Sequence, residues 1–159
     1  MEKVIHTFEP VFDARSKILI VGTMPSVLSR QEQFYYGNPR NRFYDVLSAL
    51  FKHKKPASAG EKKAFLLKHN IALYDVLAEC EIKGSMDASI KNARPNDFSG
   101  IFAAAAIKRV YANGNTAYKY YKRFIGEDVT CLPSTSPANA AYSLERLIGE
   151  WAQILDAME

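Results

Sequence analysis

The sequence predicts an α/β fold: one domain over residues 1–159, built as a three-layer α/β/α sandwich around a central, mainly parallel four-stranded sheet. Four short apolar segments, each followed by turn-forming or polar residues, alternate with segments whose apolar residues recur at helical spacing. The chain of 159 residues, 48% hydrophobic and 24% charged, is long enough to bury the core of one globular domain. Together these observations indicate strands that are covered by helices on both faces.

Each element follows from local pattern. The strands are expected at Ile18–Val21, Ile71–Leu73, Val110–Ala112 and Val129–Leu132. Helical spacing predicts helices over Asn41–Phe51, Glu61–His69, Thr116–Phe124 and Ser143–Met158. The stretch Asp75–Asp97 shows no clear helical or strand period, and its segments Gly84-Ser85-Met86-Asp87 and Arg94-Pro95-Asn96-Asp97 are expected to be loop-like. Asn96 or Asp97 can cap a further helix that runs to Ala106.

The loops that follow the four strands are the places to look for a site. Ligands of parallel sheets bind beyond the carboxyl ends of the strands. We therefore expect four loops to converge at one edge of the sheet: Gly22–Ser26, Tyr74–Val76, Asn113–Thr116 and Pro133–Asn139.

Residues 18–51 carry the clearest functional pattern. A buried strand enters a tight loop, an aromatic segment follows, and a helix then opens with polar and cationic residues. This order suits a pocket for a planar group that is attached to phosphate, as a flipped nucleobase is. The loop residues expected to bind the base are Gly22, Thr23, Met24, Pro25 and Ser26, whose backbone N–H groups can donate to a carbonyl on the base edge.

Composition narrows the class of protein. The net charge of +4 is compatible with binding a polyanion but is a weak signal. No apolar run approaches the roughly 20 residues of a membrane helix, and MEKVIHTFEP lacks the apolar segment of a signal peptide. We therefore expect a cytoplasmic protein that does not bind membranes. Two distant cysteines and three histidines without ligand spacing predict no metal, no iron–sulfur cluster and no cofactor.

Two separated motifs resemble those of a known family. GTMPS…YYGNPRNRFYDVL and LPSTSPANA are similar to segments of the hypoxanthine-DNA (deoxyinosine) glycosylases, within the uracil-DNA glycosylase superfamily. The mismatch-specific uracil glycosylases have a similar layout. The resemblance implies a monofunctional DNA glycosylase of base-excision repair, which hydrolyses the N-glycosidic bond of a flipped deaminated base. Hypoxanthine is the expected lesion and uracil the second candidate, with DNA as the partner and a monomer as the expected state.

The resemblance also implies roles for particular residues, and departures from it. Met24 occupies the position where many superfamily members place a residue that positions water, and the resemblance moves the catalytic role to Asn41. The last loop offers hydroxyls in place of a histidine. In the family this loop carries a bulky wedge residue, a side chain that enters the base stack, and here Ala138 or Asn139 takes its place. Duplex opening is therefore expected to be weak or to depend on another residue.

Each candidate has a plainer interpretation beside it. Asn41 is either a catalytic amide or a helix cap. Tyr36 is either a platform that stacks on the base or, like Phe34, a core aromatic. Arg40 and Arg42 either reach phosphates or lie on a solvated face. The residues Ser134, Thr135 and Ser136 are expected to contact DNA phosphates, with Asn139 in the minor groove, and a polar turn is the alternative.

Two other functions stay open from sequence. One is a uracil or mismatch-specific glycosylase with the same cleft, and the other is an inactive nucleic-acid-binding module, which the presence of Met24 would suit. Asp75, at the end of the second strand, either orients water or caps a helix. No lysine stands out as a Schiff-base nucleophile, so no lyase step is expected.

Overall fold

The computed structural model describes residues 1–158. The strands are β1 (Glu2–Ile5), β2 (Ile18–Gly22), β3 (Ile71–Asp75), β4 (Leu77–Lys83), β5 (Met86–Pro95), β6 (Arg109–Asn113) and β7 (Thr130–Leu132). The helices are α1 (Val27–Glu32), α2 (Phe43–Phe51), α3 (Ala59–Lys68), α4 (Ser99–Ala104), α5 (Asn115–Phe124) and α6 (Leu144–Trp151). A 3-10 helix, Ala152–Met158, follows α6.

The centre of the molecule is a parallel sheet in the order β3-β2-β6-β7. Ile20 in β2 lies opposite Leu73 in β3 and Tyr111 in β6. The predicted four-stranded parallel sheet is confirmed. Because the chain leaves β2 for β3 on one side and later returns for β6 on the other, the strand order reverses at β2, which is where sheets of this kind bind ligands.

Strand β2 is buried along its whole length because both faces of the sheet are covered. Ile18 and Ile20 point into a core formed with α2, α3 and α6. Leu19 and Val21 point to the other side, into a core with α4, α5 and part of the hairpin β4–β5. This alternation produces the predicted helix–sheet–helix layers.

The stretch Asp75–Asp97, in which the sequence indicated only two loop-like segments, is mostly strand. It contains a hairpin, β4 and β5, which pairs with β1 to form a second, antiparallel sheet in the order β1-β4-β5. The register of β4 against β5 shifts three times, so the period-2 alternation that identifies a strand is interrupted. Of the two predicted loop-like segments, Gly84 and Ser85 form the turn between the strands, and Asn96 and Asp97 lie in the connection that follows β5, whereas Met86, Asp87, Arg94 and Pro95 belong to β5.

Helix bounds differ modestly from the predictions. Helix α3, predicted over Glu61–His69, begins at Ala59. The Ser58 side chain caps it by accepting a hydrogen bond from the Glu61 N–H at 3.1 Å. The closing helix ends at Trp151 and continues as the 3-10 segment. The short helix α1 was not predicted, since six residues are too few to establish a helical period. Within residues 1–158, no helix combines the length and apolar character needed to cross a membrane.

Candidate active site

A cleft of about 950 Å³ lies at the carboxyl edge of the parallel sheet. All four predicted loops contribute to its walls, together with Tyr36, Asn41 and the tip of the β4–β5 hairpin. The convergence of the loops is therefore confirmed. A cavity of this size is within the range of small-ligand sites.

The first loop begins with a close approach between Gly22 and Asp75. A Cβ on Gly22 would lie 2.4 Å from Asp75 Oδ1 and 3.0 Å from the phenol oxygen of Tyr36. Only glycine therefore lets this loop, the cleft carboxylate and Tyr36 meet at one point.

The rest of this loop presents backbone groups to the cleft. The carbonyls of Gly22 and Thr23 accept hydrogen bonds from Val76 and Leu77 at 2.8 and 3.1 Å. The Ser26 hydroxyl caps α1 by accepting from the Ser29 N–H at 3.1 Å. No other residue in 1–158 accepts a hydrogen bond from the N–H groups of Met24 and Ser26, so both remain available as donors, whereas Pro25 has no N–H. All five predicted loop residues line the cleft.

Asn41 lies at the start of α2 and lines the cleft. Its Oδ1 accepts hydrogen bonds from the Phe43 N–H at 2.9 Å and from the Thr135 hydroxyl at 2.8 Å. Its Nδ2 has no acceptor among residues 1–158. The side chain therefore supports the helix start with its oxygen and leaves its N–H₂ group free to donate.

Thr135 was expected to contact DNA, but its burial argues against that contact. The residue is 0% exposed. Its hydroxyl accepts from Asn113 Nδ2 at 2.9 Å while donating to Asn41, and its N–H donates to Asn113 Oδ1 at 3.0 Å. Both functions of its hydroxyl are therefore in use within the protein, and the hydroxyl is bonded to the Asn41 amide oxygen.

Tyr36 lines the cleft with a strained backbone. Its φ of 56° lies in the left-handed region, which costs a bulky side chain on the order of 1–3 kcal/mol. One face of its ring stacks on Phe43, with centroids 4.1 Å apart and planes at 24°. Phe34, by contrast, packs in the core and lines no part of the cleft.

The Tyr36 phenol is also unusual in its polar surroundings. Burial, followed by the negative charge of Asp75, raises its pKa well above the usual value, and the nearby Asn113 amide opposes this. The buried phenol oxygen makes no hydrogen bond of normal geometry within residues 1–158. The hydroxyl is therefore not needed to hold the ring in place.

A buried carboxylate at the cleft was underestimated from sequence. His6 Nε2 lies 2.9 Å from Asp75 Oδ2, with side chains only 1% and 6% exposed. The two residues are 69 positions apart, so no local pattern could pair them. A polar residue at a strand end was the available signal for Asp75, and no signal existed for His6.

The hairpin tip adds Ser85, Met86 and Asp87 to the cleft wall. Asp87 is an exposed residue, but the cleft wall partly desolvates its carboxyl. This desolvation and the charge of Asp75 raise its pKa to about 6. The sequence had placed these residues only in a turn.

The loop Pro133–Asn139 is held by side chains from two helical regions. Arg42 donates to the carbonyls of Ser136 and Asn139 at 3.1 and 3.0 Å, and also to that of Tyr142. Trp151 Nε1 donates to the Pro133 carbonyl at 2.9 Å. Arg42 therefore stabilises the loop by bonding its carbonyls. This role differs from both sequence-based interpretations, a phosphate contact and a solvated helix face.

The remaining predicted DNA contacts differ in position. Ser134, Ser136 and Asn139 are half-buried and line the cleft. The Asn139 amide donates to the Ser134 carbonyl at 2.9 Å, which rigidifies the turn. Arg40 is exposed and lies outside the cleft lining, so its contact with DNA stays a prediction. In the described part of the chain, no group of three or more His, Cys, Asp or Glu side chains is placed to hold a metal ion.

Comparison with known proteins adds independent information. The sequence profile of the uracil DNA glycosylase superfamily matches residues 9–155. A hypoxanthine DNA glycosylase of Methanosarcina acetivorans is 36% identical over 151 residues, which cover 92% of this chain and 95% of that protein. One from Methanosarcina barkeri is 32% identical, covering 92% and 94%. The solution NMR structure of a Methanosarcina acetivorans protein, provisionally described as a uracil DNA glycosylase, matches with a TM-score of 0.79 and 32% identity, covering 95% and 96%.

Proposed function

The chain belongs to the uracil DNA glycosylase superfamily, and we propose that it is a monofunctional DNA glycosylase that removes deaminated bases, hypoxanthine first and uracil second. It hydrolyses the N-glycosidic bond of a base that has been rotated out of DNA. The relatives named hypoxanthine DNA glycosylases support this activity over nearly the whole length of the chain.

The observation that carries the base preference is that a buried acceptor and free backbone donors line the same cleft. Asp75 supplies a carboxylate that His6 holds at 2.9 Å, and Met24 and Ser26 supply unpaired N–H groups. Hypoxanthine and uracil each present a ring N–H beside a carbonyl. Adenine and cytosine have an amino group in place of the carbonyl and an acceptor nitrogen in place of the ring N–H. In the same pose, their ring nitrogen would face the carboxylate and could not donate a hydrogen bond to it.

Stacking on Tyr36 would hold the base against this polar edge. The ring is flat, rigid and supported from behind by Phe43 at 4.1 Å. Stacking of a base on an aromatic ring is worth on the order of 1–3 kcal/mol and does not depend on which base it is. The polar groups therefore distinguish hypoxanthine from adenine and uracil from cytosine, whereas Tyr36 adds affinity.

Asn41 is the proposed catalytic residue and acts as a donor. Because its Oδ1 already accepts two hydrogen bonds, only Nδ2 is free. An amide N–H₂ stabilises negative charge on the departing base, or holds the oxygen of the attacking water, but it cannot remove a proton. Such help suits a reaction in which the sugar develops cationic character before water attacks.

The surface around the cleft is proposed to bind the DNA strand. Ser134, Ser136 and Asn139 lie on a braced turn beside the base site, and the exposed Arg40 lies near the start of α2. Contacts of this kind position the strand without reading its sequence. We propose that the protein acts as a monomer of one domain. The two free cysteines suit a reducing compartment such as the cytoplasm.

Excision from a panel of oligonucleotides tests the function. Duplexes that differ only at one test position, which holds hypoxanthine, uracil, adenine or cytosine, are incubated with wild type, with Asn41→Ala and with Asn92→Gly. Asn92 lies outside the cleft, so Asn92→Gly is the control. We expect abasic sites from hypoxanthine and, more slowly, from uracil, and a loss of about 100-fold or more in Asn41→Ala. Strand cleavage should require added alkali. If wild type releases no base, the proposed activity is wrong; if Asn41→Ala equals wild type, the catalytic assignment is wrong.

A further inference from the structure

An exposed apolar side chain stands at the rim of the cleft without a structural reason. Met86, the first residue of β5, is 58% exposed and also lines the cleft. Val27 and Leu28, on the first turn of α1, are 40% and 41% exposed. The Val27 N–H donates to the Ser85 hydroxyl at 3.2 Å, so the hairpin tip and α1 form one surface. Exposed apolar groups that adjoin a site commonly mark a contact surface.

The tip that carries Met86 is internally braced. The Ser89 hydroxyl donates to the Met86 carbonyl at 2.6 Å and accepts from the Lys83 N–H at 2.8 Å. Gly84 forms the turn with a φ of 61°, in the region that glycine adopts without strain. Met86 is therefore presented by a defined turn on the wall of the cleft.

The loop from which a wedge would be expected has none. Ala138 is exposed but small, and the Asn139 amide is already bonded to the Ser134 carbonyl at 2.9 Å. A base cannot leave a duplex unless the stack is opened and kept open, which costs a few kcal/mol. Some other side chain at the rim has to supply that contact.

Resting on the proposed function, we propose that Met86 is the residue that enters the base stack of duplex DNA beside the flipped nucleotide. Continuity with the base cleft identifies the occupant of this apolar surface as the DNA itself. Unbranched methionine is long, apolar and adaptable, and apolar side chains of this kind wedge between base steps in other DNA-bending proteins. Val27 and Leu28 extend the apolar contact behind the wedge.

The test compares duplex and single-stranded substrates, because only the duplex needs opening. Single-turnover excision of hypoxanthine is measured on both with wild type, Met86→Ala, Met86→Leu and Phe102→Ala. Phe102, on α4, is 43% exposed and lies outside the cleft, so it controls for the loss of an exposed apolar side chain. The ratio of duplex to single-strand rate should fall about tenfold in Met86→Ala, recover in Met86→Leu and stay unchanged in Phe102→Ala.

Fluorescence of 2-aminopurine next to the lesion gives a second readout. Its increase on binding reports unstacking, and it should be smaller for Met86→Ala than for wild type. An unchanged rate ratio in Met86→Ala, or a wild type that acts only on single strands, overturns the wedge but leaves the glycosylase assignment intact. If the wild type is a dimer in solution and Met86→Ala is a monomer, the apolar surface binds a second copy of the chain. That result would also overturn the wedge proposal. Absence of excision from either substrate overturns the proposed function itself.

Discussion

The Thr135 hydroxyl donates to Asn41 Oδ1 at 2.8 Å across 94 residues of chain. Because Thr135 also accepts from Asn113 Nδ2 at 2.9 Å, the hydroxyl joins the end of β6 to the start of α2 through a directed chain of hydrogen bonds. The direction matters because it assigns the oxygen of the Asn41 amide to the protein and leaves the N–H₂ group for the cleft.

Thr135→Val should therefore lower activity through Asn41. Removing the hydroxyl leaves Asn113 Nδ2 without its partner and leaves the Asn41 amide oxygen held only by the Phe43 N–H. We expect a fall in kcat of about tenfold or more with little change in KM for DNA. The free energy of unfolding should fall by about 1–3 kcal/mol, since buried polar groups lose their partners. Thr135→Ser keeps the hydroxyl and is the matched control; equal kcat values for the two variants would contradict the positioning role.

Two substitutions of Tyr36 test the contribution of its ring and of its hydroxyl to activity. Tyr36→Ala should lower excision by about 5-fold to 150-fold, the equivalent of about 1–3 kcal/mol of base stacking. Tyr36→Phe should keep activity and leave stability unchanged or slightly raised, because the buried phenol oxygen has no hydrogen-bond partner within residues 1–158. Phe34→Leu, a change in the core, should affect the melting temperature more than the excision rate. A larger rate loss in Phe34→Leu than in Tyr36→Ala, at equal folded fractions, would refute the stacking assignment.

Asp75→Asn tests whether a carboxylate selects the base. An amide at this position can donate as well as accept, so the preference for a ring N–H is weakened. We expect kcat/KM for hypoxanthine to fall by about 100-fold and its ratio to that for adenine to shrink. His6→Asn keeps the carboxylate but removes its 2.9 Å partner, and should have a smaller effect. Retention of the full hypoxanthine-to-adenine ratio in Asp75→Asn would rule out Asp75 as the selecting group.

Because the pKa of Asp87 is raised, we expect DNA binding to depend on pH. Desolvation and the Asp75 charge raise its pKa to about 6, so the carboxyl is ionised above that pH and neutral below it. Loss of a negative charge at the rim should tighten binding by about twofold to fivefold as the pH falls from 7.5 to 5. Asp87→Asn should bind more tightly than wild type at pH 7.5 and no more tightly at pH 5. Fluorescence anisotropy with a labelled duplex at fixed salt measures both; parallel pH curves for the two proteins would exclude Asp87 as the source.

Several features of the fold and the cleft were predictable because they depend on short-range pattern. Strand β2 is five apolar or small residues long and stops at Gly22, and α2 repeats its apolar residues at helical spacing. The order of strands and helices then requires a parallel sheet, whose loops must share one edge. The position of Met24 in the cleft follows from these rules. Asn41 was assigned chiefly through the family resemblance, and Tyr36 through the polar and cationic residues that follow it.

Residues whose roles depend on distant partners were not predictable in the same way. Thr135 was expected on the surface because a Ser/Thr-rich loop is normally solvated, yet Asn41 and Asn113 enclose it. Arg42 faces the carbonyls of a loop about 100 residues away, and it has no local signature for that role. The β4–β5 hairpin escaped detection since its three register shifts interrupt the alternation of buried and exposed side chains.

By itself, then, the sequence determined the parallel α/β layers and the edge at which ligands bind, because backbone preference and hydrophobic period act over a few neighbouring positions. The role expected of the Asn41 amide came from the resemblance to a known family. Tertiary structure alone decided that His6 holds Asp75, that Thr135 directs the Asn41 amide and that Met86 stands on the cleft rim. Each of those relationships joins segments whose separation along the chain carries no periodic signal, and only the packing of two sheets and their helices brings them together.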